Sequence, residues 1–319
     1  MINPYWGKDF FGFFATLFHR LTGSLPLETL PSDEVQLLAL IGISFACALI
    51  GVFLTLKKMT MLANSISHTV LLGIVLTYII TFSFSSQFTL DLQTLLIASL
   101  LTAFLTTFLT QLFTQVVKLQ EDASIGLVFT TLFALGVVLV TVFTRNLHIG
   151  IEAVMGNIDA LDPQDLKLVG LVAGLDLFVI LLCFKEFKVT AFDPSLASAM
   201  GVSPNIFSHL LMILTAATCI GAFRSVGVLL VLAFIVGPVL MARLLTNNLK
   251  TLIVLSCALG IFCSVLGVAC SRYFLSIYHL PLSTAGLVVT LMGLVYLVIL
   301  LATFVRRPSQ QLWVNDSSQ

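Results

Sequence analysis

Long apolar runs, each close to twenty residues and separated by short polar stretches, set the rhythm of the chain. They lie near residues 36–56, 65–84, 91–115, 124–144, 167–184, 208–223, 226–243, 250–271 and 284–305. A helix rising 1.5 Å per residue needs about 20 apolar residues to cross roughly 30 Å of hydrocarbon, so the pattern predicts eight or nine membrane-spanning helices. The count turns on 208–243, which is too long for one span and carries Arg224, Ser225 and Gly227 at its middle. A charged side chain at mid-bilayer is expensive, so two shorter helices with a tight turn are expected there. The fold class is therefore an all-α, polytopic integral membrane protein. Residues 1–35 read as an N-terminal interfacial segment, 36–307 as the transmembrane domain and 308–319 as a cytoplasmic tail.

Composition closes off the soluble alternatives. Hydrophobic residues make up 59% of the 319 and charged residues only 9%. With 15 basic and 15 acidic side chains there is too little polar surface to solvate such a particle, and lipid must serve as solvent for most of it. A net charge of zero offers no basic face for nucleic acid.

The first residues, MINPYWGKDFFGFFATLFHRLTG, lack the basic start, apolar centre and cleavage site of a signal peptide. They read as an interfacial helix with Trp6, Phe10, Phe11, Phe13, Phe14 and Phe18 at the membrane surface. All six cysteines fall inside apolar runs without CxxC spacing, which favours buried small hydrophobes over a metal or disulfide framework.

Orientation follows from Lys and Arg in short loops. Lys57, Lys58, Lys118, Lys185, Lys188, Arg243, Lys250, Arg306 and Arg307 fall on one side, against Arg145, Lys167, Arg224 and Arg272 on the other. The first side is expected to be cytoplasmic. The longest cytoplasmic connection is then 185–207, while the loop 145–166, with Glu152, Asp159, Asp162 and Asp165, is an acidic outer mouth or a merely solvated loop.

Polar residues inside the runs are the candidates for chemistry. Asn64 and His68 are four apart and share one helical face, turned inward because an ionisable group facing lipid is costly. Imidazole and amide oxygen both ligate first-row divalent ions; an interhelical hydrogen bond by His68 is the alternative. Asp176 is an intramembrane carboxylate and joins the pore candidates by default. Glu121 and Asp122 open a helix, where carboxylates complement the dipole, and Gly126 would permit close packing. Asp193 before Pro194 starts a helix that Gly201 stops about two turns later. Pro238 removes a backbone hydrogen bond and offers a place for movement. His19, His148, His209 and His279 read as interfacial. The sequence contains neither a Gly-x-x-x-x-Gly-Lys-Ser/Thr phosphate loop nor a His-Glu-x-x-His motif.

In order and spacing these motifs resemble the permease subunits of bacterial manganese, zinc and iron ABC importers, the ABC-3 family, across residues 36–305. Lys58, Met59, Thr60, Asn64, Ser67, His68 and Thr69 match the family's second-helix motif, with Asn64 in place of its aspartate. Glu121, Asp122, Ala123 and Gly126 match a helix start. Asp193, Pro194, Ala197, Gly201 and Val202 match the coupling helix, and Val226, Gly227, Pro238, Ala242 and Arg243 a later span. A looser match runs through Leu280 and Pro281.

The resemblance implies a permease like those of type II ABC importers. His68 and Asn64 would ligate the ion in transit, and the 193–202 helix would dock on an ATP-binding cassette subunit. A second permease subunit, identical or paralogous, and an extracytoplasmic metal-binding receptor would complete it in the bacterial inner membrane. The divalent metal is cargo rather than a resident cofactor, the chain itself is no enzyme, and its remaining partner is membrane lipid. The alternative is a gradient-driven secondary transporter, which predicts paired carboxylates or broken helices in two matching halves.

Overall fold

In a computed structural model the residues described are 4–7, 9–22, 31–84, 92–143, 158, 161 and 163–306. Among them the chain is helical, with no strand. We number the helices α1 (Phe10–Leu21), α2 (Ser32–Leu56), α3 (Thr60–Phe84), α4 (Leu92–Gln115), α5 (Glu121–Phe143), α6 (Pro163–Leu182), α7 (Phe184–Phe192), α8 (Pro194–Ala199), α9 (Pro204–Val226), α10 (Val228–Leu245), α11 (Leu249–Tyr278) and α12 (Thr284–Arg306). The nine apolar runs correspond one for one to α2–α6 and α9–α12. Six of these helices are long and apolar enough to cross a bilayer among the described residues, and the bent pair of α6 and α7 makes seven. Helices α3 and α4 have 25 and 24 residues and contain no Asp, Glu, Lys or Arg. The chain is a multi-pass membrane protein.

Helix α2 is the hub, touching α6, α9, α10 and α11, while α3, α4 and α5 form a second group joined to it through α9 and α10. Backbones approach closely where side chains vanish. Gly51 of α2 lies against the Ile235 carbonyl of α10, and Gly267 of α11 against Val288 of α12. In lipid, where apolar surface gains nothing by leaving a lipid-like solvent, such close approach supplies the packing.

The expected break in 208–243 falls at Gly227, whose φ of 81° only glycine adopts without strain. Two expectations need correction. Residues 185–192, read as part of a loop, belong to α7, which is bent 74° from α6. Lys185, Glu186 and Lys188 interrupt the apolar run but not the helical period. Phe187 stays on the inner side, fully buried between Phe53 of α2 and Phe207 of α9. Helix α11 also runs on beyond residue 271 to Tyr278, because Arg272 is paired with Asp33 of α2 rather than left exposed to lipid.

The N-terminal segment docks on the bundle more firmly than a surface helix. Trp6, Phe11 and Phe18 are exposed as expected, but Tyr5 and Phe13 are buried, and Phe10 meets Tyr273 of α11 edge to face. Arg20 forms an ion pair with Glu34, and the Tyr5 hydroxyl donates to Glu34 Oε1 at 2.7 Å. Burial pushes the Tyr5 phenol up, and the neighbouring Glu34 carboxylate adds to the effect.

Candidate functional site

Helix α3 starts just after Lys58, which takes a left-handed turn at φ 60°. One turn in, the α3 residues divide by face. Ser65 and Thr69 are buried, and Thr69 accepts a 2.9 Å hydrogen bond from Thr106 of α4. Asn64 and His68 lie on a neighbouring, half-buried face. The imidazole of His68 rests against two phenyl rings of α5, Phe129 at 5.3 Å and Phe133 at 5.4 Å between centroids. Those rings are one helical turn apart and themselves stack at 5.9 Å. The α5 side of His68 is thus apolar, and a ligand set containing Asn64 and His68 has to be completed from elsewhere. Among the described residues no three His, Cys, Asp or Glu side chains come together to hold a metal.

Asp176 does not join that face. It is fully buried on α6, and its Oδ2 accepts a 2.7 Å hydrogen bond from Thr218 of α9. Its electrostatic neighbours are Cys47 of α2 and Cys219 of α9, which sets it in the core rather than beside His68. A Cβ on Gly126 would meet nothing within 4 Å among the described residues. Gly136, further along α5, sits close to α3, where a Cβ would lie 3.2 Å from the Leu72 backbone nitrogen. Pro238 is buried in α10, and its ring lies 3.3 Å from where a Cβ on Gly260 of α11 would be. Glu152, Asp159, Asp162 and His148 lie outside the described residues, whereas Asp165 falls in the first turn of α6.

At the opposite pole stands α8, a short, closed unit. Asp193 Oδ1 accepts from the Ser195 amide and hydroxyl at 3.0 and 2.6 Å and from the Leu196 amide at 3.0 Å. These bonds, the Ser195 hydroxyl foremost, hold its carboxyl below the usual carboxylate range. Pro194 takes the first helical position, where no amide donor is missed. At the other end Val202 N donates to Ala197 O at 2.9 Å and Gly201 N to Ser198 O at 3.1 Å, with Gly201 at φ 80°. That is the Schellman pattern, which needs a residue free to adopt positive φ. Ala197 is buried against the body of the protein, while Leu196 and Met200 point outward at 50% and 64% exposure. No sequence motif marked these two apolar side chains, which stand four residues apart. Pro194, Ser195 and Asn205 border an open hollow of about 680 Å³ beside α8.

A bundle of spanning helices with a capped helix set outside its apolar runs defines a multi-pass membrane protein by class. The sequence comparisons give the family. The model of the ABC 3 transport family matches residues 34–303, and the chain belongs to that family. A protein of Chlamydia muridarum, described as a probable metal transport system membrane protein, is 38% identical over 96% of both chains. The manganese transport system membrane protein MntD of Bacillus subtilis is 37% identical over 81% of this chain and 86% of its own. Among solved structures, PsaBC from Streptococcus pneumoniae in complex with Fab superposes with a TM-score of 0.69 at 26% identity, covering 89% of this chain and 95% of that one.

Proposed function

We propose that the chain is the transmembrane permease subunit of an ATP-driven importer of divalent metal ions, with manganese, iron and zinc as the candidate cargo. The observation that carries this reading is the shared face of Asn64 and His68 on α3, in a chain of the ABC 3 transport family whose relatives bear metal-transport names. A membrane-embedded imidazole beside an amide suits an intermediate ion, since both donors are neutral and hold a divalent charge loosely enough to release it. Family membership sets aside the gradient-driven alternative.

Membership of the ABC 3 transport family supports the same reading for the rest of the assembly. ATP binding and hydrolysis belong to a separate cassette subunit, which docks on α8 through Leu196 and Met200. A second permease, identical or paralogous, supplies further ligands opposite His68. An extracytoplasmic receptor delivers the ion at the other surface of the bacterial inner membrane. In the assembled transporter, His68→Ala should reduce uptake of radioactive manganese, iron or zinc at least tenfold with unchanged assembly. Uptake at the wild-type rate would refute the role of His68.

A further inference from the structure

The ends of α2, α11 and α12 enclose a cavity of about 470 Å³ whose walls include Asp33, Gln36, Ser271, Arg272, Leu282 and Thr284. It lies at the pole away from α8 and uses none of the residues assigned to cargo or coupling. Its walls are built rather than incidental. Gln36 Nε2 donates to Thr284 Oγ1 at 3.1 Å, and Thr284 Oγ1 donates to Ser271 Oγ at 2.9 Å. Arg272 is 9% exposed and paired with Asp33 through Nη2, yet its buried Nε has no hydrogen-bond partner among the described residues. Two helices, α2 and α12, begin at this cavity and turn the positive ends of their dipoles toward it. Together with a guanidinium nitrogen that finds no hydrogen-bond partner among the described residues, that arrangement favours an oxyanion.

Depth identifies which oxyanion. Arg272 stands 23 residues along α11 from Leu249, about 35 Å at 1.5 Å per residue. The hydrocarbon core is about 30 Å thick and the whole bilayer about 40–45 Å, so Arg272 sits at headgroup level. Tyr273 and Tyr278, 6.0 Å apart between ring centroids, mark the same level as an aromatic belt does. Leu280 and Leu282 beside the opening are 51% and 41% exposed, apolar surface suited to acyl chains.

We propose that this cavity is a phospholipid headgroup site. The lipid phosphate accepts from Arg272, the ammonium of a zwitterionic headgroup donates to Asp33, and the acyl chains run over Leu280 and Leu282. The pairing of one guanidinium with one carboxylate selects phosphatidylethanolamine over phosphatidylglycerol, which has no ammonium, and over phosphatidylcholine, whose ammonium cannot donate.

The full chain, purified in detergent and titrated with each of the three lipids, is followed by native mass spectrometry. One phosphatidylethanolamine should be retained per chain, at least tenfold more tightly than either other lipid. The double variant Asp33→Asn/Arg272→Gln, which removes both charges and keeps the volume, should weaken retention at least tenfold. Leu282→Trp, which fills the opening and leaves the ion pair intact, should do the same and decides the matter if the double variant does not fold. Equal retention of the three lipids, or wild-type retention by Leu282→Trp, overturns the proposal. So does displacement of the lipid by millimolar inorganic phosphate, which would assign the cavity to a free anion.

Discussion

A carboxylate in the middle of an apolar run can serve a pathway or the packing, and a substitution at Asp176 tells the two apart. Its Oδ2 is satisfied by Thr218 and the side chain is wholly enclosed. Asp176→Asn keeps an oxygen for that bond, so transport should stay within twofold of wild type. Thr218→Val strips the bond from a buried group and should destabilise the protein by about 1–3 kcal/mol, read as a lowered midpoint of thermal unfolding in detergent. Loss of transport in Asp176→Asn, with the fold intact, would place Asp176 in the ion path. Glycines divide in the same way. Gly51→Ala drives a methyl into the Ile235 carbonyl and should cost about 1–3 kcal/mol, whereas Gly126→Ala meets open space and should leave the unfolding midpoint of the isolated chain nearly unchanged. The sequence marked Gly126 and passed over Gly51, since nothing in a single chain tells which glycine faces a neighbouring backbone.

Among the elements, α8 was the most legible in advance, because its start and stop are written in residues with narrow backbone preferences: Asp193, Pro194 and Gly201. Its capping makes a pH prediction. The folded-state carboxyl of Asp193 titrates below its unfolded value, so its contribution is complete above the ordinary aspartate value of about 3.9 and is lost as pH falls through the lower folded value. Amide exchange at Ser195 and Leu196 should therefore stay protected at pH 5 and open only in stronger acid; opening already at pH 5 would contradict the capping role. Helix α7 was not legible. Its charged residues imitate a loop, and only the burial of Phe187 between Phe53 and Phe207 shows why the chain stays helical. Asn64 and His68 share a half-buried face of α3, as their spacing requires, whereas the phenyl rings beside His68 come from α5, some sixty residues away, and no local pattern announces them.

For the whole molecule, the nine-run pattern foretold the bundle because the bilayer imposes one length on every crossing, while the docking of the N-terminal segment depended on ion pairs that join distant parts of the chain. Arg20→Ala leaves Glu34 buried without its cation and should destabilise the protein by about 3–5 kcal/mol, with increased proteolysis ahead of Ser32 as a second measure. Unchanged stability would mean that α1 rests on its aromatic contacts alone. The distribution of burial has a further consequence. In the most apolar stretch of α2, 78% of residues are buried within the chain, against 11% in α12. Over generations α2 should therefore be frozen, each side chain matched to several neighbours, whereas the exposed positions of α12, such as Leu297, Leu301 and Phe304, should drift freely among apolar residues. A saturation library scored for growth on limiting metal would show this directly, as intolerance along α2 and a broad, hydrophobic-only tolerance along α12.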